Sequence, residues 1–190
     1  PACNSDTKQD AGLVAIRCTN NECPEQIKGQ ITHFIKALEI DEIGTTLVDK
    51  LVDTCNVKNP LDLYKLTIDQ VANIDRMGIK SADKVTRNLA LSLKEVPLNK
   101  FLYSLGINGI GRSTTKLLAK KFTLQELKEI TKDSLLNIEG IGEITANDFL
   151  DYFKENIKDI ESLEALLEIK KVSVIVQNTE NKVANKSFVL

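Results

Sequence analysis

No run of apolar residues approaches the roughly 18 that a membrane-crossing helix needs, which excludes a transmembrane segment. No Met begins the chain, and no basic region leads into an apolar one after Pro1-Ala2-Cys3. Neither a signal peptide nor a natural start is expected, and the sequence reads as a fragment. An excess of positive charge is also missing: 25 Lys and Arg against 27 Asp and Glu give a net charge of −2. That excludes a wholly basic nucleic-acid binder and leaves any polyanion site to local clustering. Histidine occurs once, as His33, and no Ser, Cys and His spacing supports a nucleophile with its base. Four cysteines without a secretory signal read as metal ligands or buried thiols rather than a disulfide framework. What is present is that of a soluble globular protein: 190 residues with 42% hydrophobic content can bury a sizeable core in one large domain or two small ones.

Three of the cysteines, Cys3, Cys18 and Cys23, lie in a loop-rich segment, the last two as a C-x4-C knuckle 14 residues after the first. Thiolates across such a knuckle suit tetrahedral zinc, whose structural sites take four ligands. A cysteine immediately before Pro1 would complete the set as C-P-A-C, so the fragment boundary is expected to have removed one ligand. Three unrelated buried cysteines are the alternative. A catalytic zinc is disfavoured because no His or carboxylate pattern accompanies the thiols. Cys55 reads as a small core residue and His33, on a helix over residues 24–38, as a packed side chain beside Phe34.

The main regularity is an internal repeat. Ile40-Asp-Glu-Ile43-Gly44, Ile74-Asp-Arg-Met77-Gly78, Ile107-Asn-Gly109-Ile110-Gly111 and Ile138-Glu-Gly140-Ile141-Gly142 share one pattern, with successive final glycines 34, 33 and 31 residues apart. Four and seven positions beyond each glycine stand Val48 and Leu51, Ala82 and Val85, Thr115 and Leu118, and Ala146 and Phe149. Those offsets share one helical face, which would pack on the preceding helix. Helices are expected before the turns at 63–72, 97–105 and 124–136, and after them at 81–93 and 114–122. The unit is therefore helix, glycine hairpin, helix. In the third, Gly106-Ile-Asn-Gly-Ile-Gly111-Arg112-Ser113 nearly fits a phosphate-binding loop, but that loop follows a strand, and residues 100–105 read as helix.

A Cys-rich knuckle followed by these four repeats resembles the C-terminal part of bacterial-type NAD-dependent DNA ligases. The likeness is carried by Arg17-Cys18-Thr19-Asn20, Glu22-Cys23-Pro24, His33-Phe34, Asp62-Leu63-Tyr64-Lys65-Leu66, Met77-Gly78-Ile79-Lys80-Ser81-Ala82 and Leu102-Tyr103-Ser104-Leu105-Gly106-Ile107. It covers residues 3 to about 168 and departs in two places. Phe34-Ile35-Lys36-Ala37 is about two residues short of the family's stretch, and Glu42 stands where the family has Gly, making the first hairpin less suited to an anion-binding turn. The resemblance implies a mostly α fold of four tandem helix-hairpin-helix repeats behind a small zinc finger, with a short extended tail. It also implies a cytoplasmic enzyme that binds duplex DNA at a nick and encircles it through the minor groove. In that enzyme a lysine is adenylated by NAD, AMP passes to the 5′ phosphate, and the 3′ hydroxyl attacks. No Asp-Gly dipeptide occurs here, so the Lys-x-Asp-Gly signature of nucleotidyl transfer is absent, no catalytic residue is assigned, and the small-molecule substrate would bind outside this chain.

Charge sharpens the binding expectation. Residues 112–121 hold four bases and no acid, with Arg112, Lys116 and Lys120 forming one stripe, while Lys80, Lys84 and Arg87 against Asp83 form a weaker one. Residues 143–153 hold three acids and no base, so the first and fourth repeats read as scaffold. Glycine hairpins and helix N-termini can hold phosphates without reading bases. The expected contacts are Gly78, Lys80, Ser81, Lys84, Gly109, Gly111, Arg112, Thr114, Lys116, Gly140 and Gly142, with Cys3, Cys18 and Cys23 as metal ligands. Tyr64, Tyr103 and Tyr152 are expected in the core. A module of another repair enzyme or a protein-interaction array are the alternatives. The expected divisions are 1–23, 24–168 and 169–190. Near the end, residues 160–169 read as an amphipathic helix with Leu163, Leu166 and Leu167 inward, 172–176 as a strand, 178–185 as a linker, and 186–190 as the start of a BRCT-like strand.

Overall fold

The four Ile- and Gly-centred stretches build the same turn four times. A computed structural model of the chain describes residues 2–9, 16–20 and 22–170. In it, two residues before each final glycine the backbone is left-handed: φ is 67° at Glu42, 62° at Arg76, 72° at Gly109 and 84° at Gly140. The amides of Met77, Ile110 and Ile141 donate to the carbonyls of Ile74, Ile107 and Ile138 at 2.9, 3.1 and 3.1 Å. A positive φ at the third of four residues closed by that bond is a type II turn. Gly44, Gly78, Gly111 and Gly142 then take extended backbone, with ψ between 166° and 178°, and each caps the next helix.

In chain order, strands β1 (Thr7–Gln9) and β2 (Ile16–Cys18) pair antiparallel, followed by helices α1 (Pro24–Leu38), α2 (Thr45–Cys55), α3 (Pro60–Leu63), α4 (Ile68–Ala72) and α5 (Ile79–Ser92). Strand β3 (Val96–Pro97) leads into α6 (Leu98–Ser104), α7 (Arg112–Lys121), α8 (Leu124–Lys128), α9 (Lys132–Leu136), α10 (Glu143–Leu166) and β4 (Ile169–Lys170). The chain is thus mostly helical. All eight residues at the four- and seven-position offsets are buried, Thr115 with its hydroxyl donated to the Arg112 carbonyl at 3.0 Å. The seven apolar ones join one core with Phe34, Phe101 and Leu135.

Polar contacts tie the turns together two by two. Lys50 on α2 donates to the Asp75 carbonyl in the second turn at 2.7 Å, and Asn88 on α5 to the Asp41 carbonyl in the first at 3.2 Å. Asn108 in the third turn donates to Asp148 on α10 at 2.8 Å. The chain leaves α10 through a clasp: β4 runs parallel to β3, the Val96 amide donates to the Glu168 carbonyl at 2.9 Å, and Lys170 meets Glu95 at 2.6 Å.

Several expectations are corrected. The helix expected over 63–72 breaks between α3 and α4, because the Thr67 hydroxyl accepts from the Gln70 amide while the Gln70 side chain accepts from the Thr67 amide. The one expected over 124–136 breaks likewise before Thr131, whose side chain accepts from the Ser134 amide. The helix expected at 160–169 is the far arm of α10, which bends at Asn156 (φ −110°, ψ 17°), where the Asn156 side chain takes the Tyr152 carbonyl at 2.9 Å. Leu163 and Leu167 are inward as expected. Leu166 is exposed, since the helix ends there and Leu167 turns inward from extended backbone. Glu42 adopts the same left-handed turn as its glycine counterparts, so the first hairpin keeps the repeat's shape. The strand and linker expected over 172–185 and the BRCT-like strand over 186–190 lie outside the described residues.

A left-handed backbone costs an L-residue about 1–2 kcal/mol, partly offset by the entropy that glycine loses on folding. Arg76→Gly and Glu42→Gly are therefore expected to stabilise the fold by about 0.5 kcal/mol each; an unchanged or lower thermal midpoint in both variants would count against strain at these positions.

Candidate nucleic-acid interface

The first amides of a helix have no intrahelical acceptor and carry the positive end of its dipole. At α2, α5, α7 and α10 the cap is a glycine, so no side chain covers those amides. A methyl group built on Gly44, Gly78, Gly111 or Gly142 would meet no heavy atom within 4 Å, and the extended φ suits any residue. Nothing inside the protein requires glycine at these caps. Glycine is a favourable cap in its own right, and here it leaves the amides behind it open to solvent. Gly109 is different: its φ is +72° and a Cβ there would stand 3.0 Å from the Thr145 hydroxyl, so it serves the turn and its seat on α10. Gly140, also left-handed, has open space around it.

Of the expected cations, Lys80, Lys84, Arg112 and Lys116 are all exposed in the first two turns of the helices behind the second and third hairpins. Among the described residues no carboxylate pairs with Lys80, Lys116 or Lys120. Lys84 lies 3.9 Å from Glu42, an exposed pair of little energetic weight. Arg87 is held by Asp83 at 2.6 Å, one turn behind on α5, and is the cation of its stripe least available to a ligand. Arg112 sits 4.9 Å above the Tyr103 ring, which fixes the guanidinium over an aromatic face. Tyr103 is therefore a platform rather than the core residue expected, while Tyr64 and Tyr152 do pack on the core. Ser81 is exposed on α5 and Thr114 is half-buried on α7.

Sequence reasoning missed three residues here. Arg76 occupies the left-handed turn position with its side chain 90% exposed and only loosely paired with the likewise exposed Asp75 at 3.6 Å, placing a further cation beside Lys80 and Lys84. Ile79 and Ile144, the first and second residues of α5 and α10, are 72% and 78% exposed. Counting offsets from each cap glycine toward its solvent side as well as its core side would have found all three.

The cysteines converge at the other end of the chain. The Sγ atoms of Cys3, Cys18 and Cys23 lie within 4.8 Å of one another, Cys3 and Cys18 at 3.4 Å. Thiolates around tetrahedral zinc stand roughly 3.8 Å apart, given Zn–S bonds of about 2.3 Å. The donors therefore fit such an ion as three ligands. Hydrogen bonds from the Ser5 hydroxyl and the Ser5 amide pull the Cys3 thiol down to about 6. At Cys18 the Asn20 amide pulls down, but desolvation and the neighbouring Cys3 and Cys23 outweigh it and raise the thiol. His33 lies elsewhere, bonded through Nε2 to the Tyr103 carbonyl at 2.7 Å and edge-on to its ring, so it packs as expected. Cys55 packs against the core half-buried, its thiol raised by burial.

A family profile described as "Helix-hairpin-helix motif" matches residues 100–160, the span from α6 through the third and fourth turns into α10. A protein named DNA ligase from Fusobacterium nucleatum is 37% identical over 99% of this chain, which corresponds to 28% of that protein. DNA ligases of Bacillus subtilis and Bacteroides fragilis are 38% and 36% identical over 92% and 100% of the chain, 26% and 30% of their own lengths. The chain thus spans somewhat more than a quarter of the curated relatives it matches. No helix among the described residues is long and apolar enough to cross a membrane.

The cysteine cluster yields a pH prediction. A thiol pulled down to about 6 is mostly thiolate above that pH, whereas the raised Cys18 stays protonated at neutrality. In metal-free protein, iodoacetamide should label Cys3 ahead of Cys18, with labelling of Cys3 falling away below a midpoint of about 6; peptide mass spectrometry across pH 5–9 reads this, and equal labelling rates would refute it.

Proposed function

Because the chain belongs to the bacterial DNA ligases, spanning somewhat more than a quarter of such a protein, we propose that it is the part that holds duplex DNA around a nick and leaves catalysis to the rest of the enzyme. The observation that carries this reading is the pairing of open cap glycines with exposed cations at the second and third hairpins, Lys80 and Lys116 among them without a carboxylate partner among the described residues. We read the four turns as four tandem helix-hairpin-helix repeats over residues 24–168, with the Cys-rich finger at 1–23 and a linker from 169 onward.

In this reading a backbone phosphate settles on the amides behind Gly78 and another on those behind Gly111. Lys80, Ser81 and Lys84 flank the first, and Arg112, Thr114 and Lys116 the second. Gly109 shapes the third turn, and Gly140 and Gly142 offer a further, less charged contact at the fourth. Arg112 is held ready by Tyr103, so less side-chain entropy is lost when it meets the phosphate. None of these groups reads a base edge, which makes binding independent of sequence. Cys3, Cys18 and Cys23 would hold zinc as three of its ligands, and the ion would lock the β1–β2 hairpin onto the start of α1, where Cys23 is the cap. NAD would supply AMP to activate the 5′ phosphate elsewhere in the whole protein, a cytoplasmic enzyme; no residue of this chain is assigned to that step.

Neutralising about four to six phosphates on a duplex gives a slope of log affinity against log salt of roughly −4 to −5. A flat dependence measured by fluorescence anisotropy would exclude phosphate-led binding. Gly78→Ala and Gly111→Ala should leave the fold intact, because reduced freedom of the unfolded chain offsets the poorer helix cap. Together they should weaken duplex binding about tenfold, the equivalent of about 1.4 kcal/mol. Unchanged affinity with an unchanged thermal midpoint would remove the hairpins from the interface. Gly109→Val should instead destabilise the protein, through its left-handed φ and the contact with Thr145.

A further inference from the structure

Two large apolar side chains stand at the tips of the hairpins rather than behind them. Ile79 opens α5 immediately after the cap Gly78 and is 72% exposed; Ile144 is the second residue of α10, after Gly142, and is 78% exposed. The equivalent positions of the other two hairpins carry Thr45 and Thr46, and Arg112 and Ser113. Exposed first-turn positions need no apolar side chain for folding, since the core of each repeat is supplied by Ala82 and Val85 or by Ala146 and Phe149.

The surroundings of Ile79 say what can cover it. The exposed cations Arg76, Lys80 and Lys84 lie within five positions on either side of it, and the open amides of α5 begin at the same place. Lys80 has no carboxylate partner among the described residues, and Arg76 and Lys84 make only loose exposed contacts with Asp75 (3.6 Å) and Glu42 (3.9 Å). A protein or lipid occupant would have to accommodate that charge, whereas a duplex brings phosphates to the cations and presents sugar edges and stacked bases between them. At the fourth hairpin the acids Glu139 and Glu143 are exposed, Glu143 only loosely paired with Lys132 at 3.8 Å, so there Ile144 brings apolar contact with little help from charge.

Resting on the DNA-binding reading above, we propose that Ile79 and Ile144 are apolar tips that enter the minor groove of the bound duplex and give the chain its preference for nicked over intact DNA. Once a phosphate sits on the amides behind the cap, the side chains at the first two helical positions lie closest to the groove. Apolar side chains in the minor groove wedge against base steps and partly unstack them. A nick removes backbone continuity on one strand, so the same wedge opens a step there at lower cost than in intact duplex. The cations provide affinity for both substrates. The two isoleucines provide the difference.

The experiment compares nicked and intact duplexes of one sequence with the whole chain and with Ile79→Ser, Ile144→Ser and the double variant, by anisotropy across a salt series. Both side chains are exposed, so thermal midpoints should stay unchanged and Ile79→Val should retain wild-type behaviour. Each serine variant is expected to lose about fivefold in affinity for nicked DNA, as befits partial burial of one aliphatic side chain, with less loss on intact duplex and no change in the salt slope. Lys116→Ala should do the reverse, reducing the slope by about 1 at constant preference. A double variant that keeps the wild-type preference overturns the proposal, as does a wild-type chain that binds both substrates equally. A wild-type chain that binds no duplex overturns the DNA-binding reading itself.

Discussion

The structure depends on one backbone constraint repeated four times: a left-handed residue, an apolar residue, and then an extended glycine that starts a helix. The left-handed residue reverses the chain tightly enough for the next helix to pack on the one before it. The apolar residue, Ile43, Met77, Ile110 or Ile141, anchors the turn to the core, and the extended glycine turns the first helical amides outward. Where the turn position is Glu42 or Arg76 instead of glycine, the same geometry persists, because the buried residues on both sides and the contacts from Lys50 and Asn88 hold it. Packing thus overrides the local backbone preference.

The same turn that closes the core also makes the surface chemistry available. An outward-facing helix start is electrostatically positive before any side chain is counted, and the cap glycines leave it uncovered. A chain with a net charge of −2 can therefore present anion-binding points, provided its cations gather near these points and its acids are held elsewhere. Asp148 meets Asn108, Asp83 meets Arg87, Glu39 meets Lys100 and Glu95 meets Lys170, while Lys80, Lys116 and Lys120 have no carboxylate partner among the described residues. At the third hairpin the exposed cations thus stand apart from the ion pairs that serve structure, while at the second Lys80 does so and Lys84 and Arg76 keep loose contacts with Glu42 and Asp75.

The cysteine cluster stands apart from this logic. It converges because the β1–β2 hairpin brings the end of one strand beside Cys3 and because Cys23 caps α1, so its geometry comes from a few short-range connections and needs little of the helical core. A bound ion would replace the apolar burial that so small a unit lacks.

The repeat pattern, the buried offsets and the convergence of Cys3, Cys18 and Cys23 were legible in the sequence, because each depends on spacing along the chain and on one residue type with few alternatives. The breaks at Thr67 and Thr131 were written there too, as cap residues inside apolar runs, but helix periodicity spanned them. The sequence by itself determined where each turn falls and that the residues four and seven positions beyond each cap glycine face inward, since periodicity and glycine chemistry are local. Only the tertiary structure decided that Glu42 and Arg76 would adopt a glycine's conformation, that Tyr103 would lie under Arg112, that Arg87 would be held by Asp83, and that Ile79 and Ile144 would be left uncovered. Each of those outcomes depends on which groups the packed helices bring within reach, and spacing along one chain does not encode that distance.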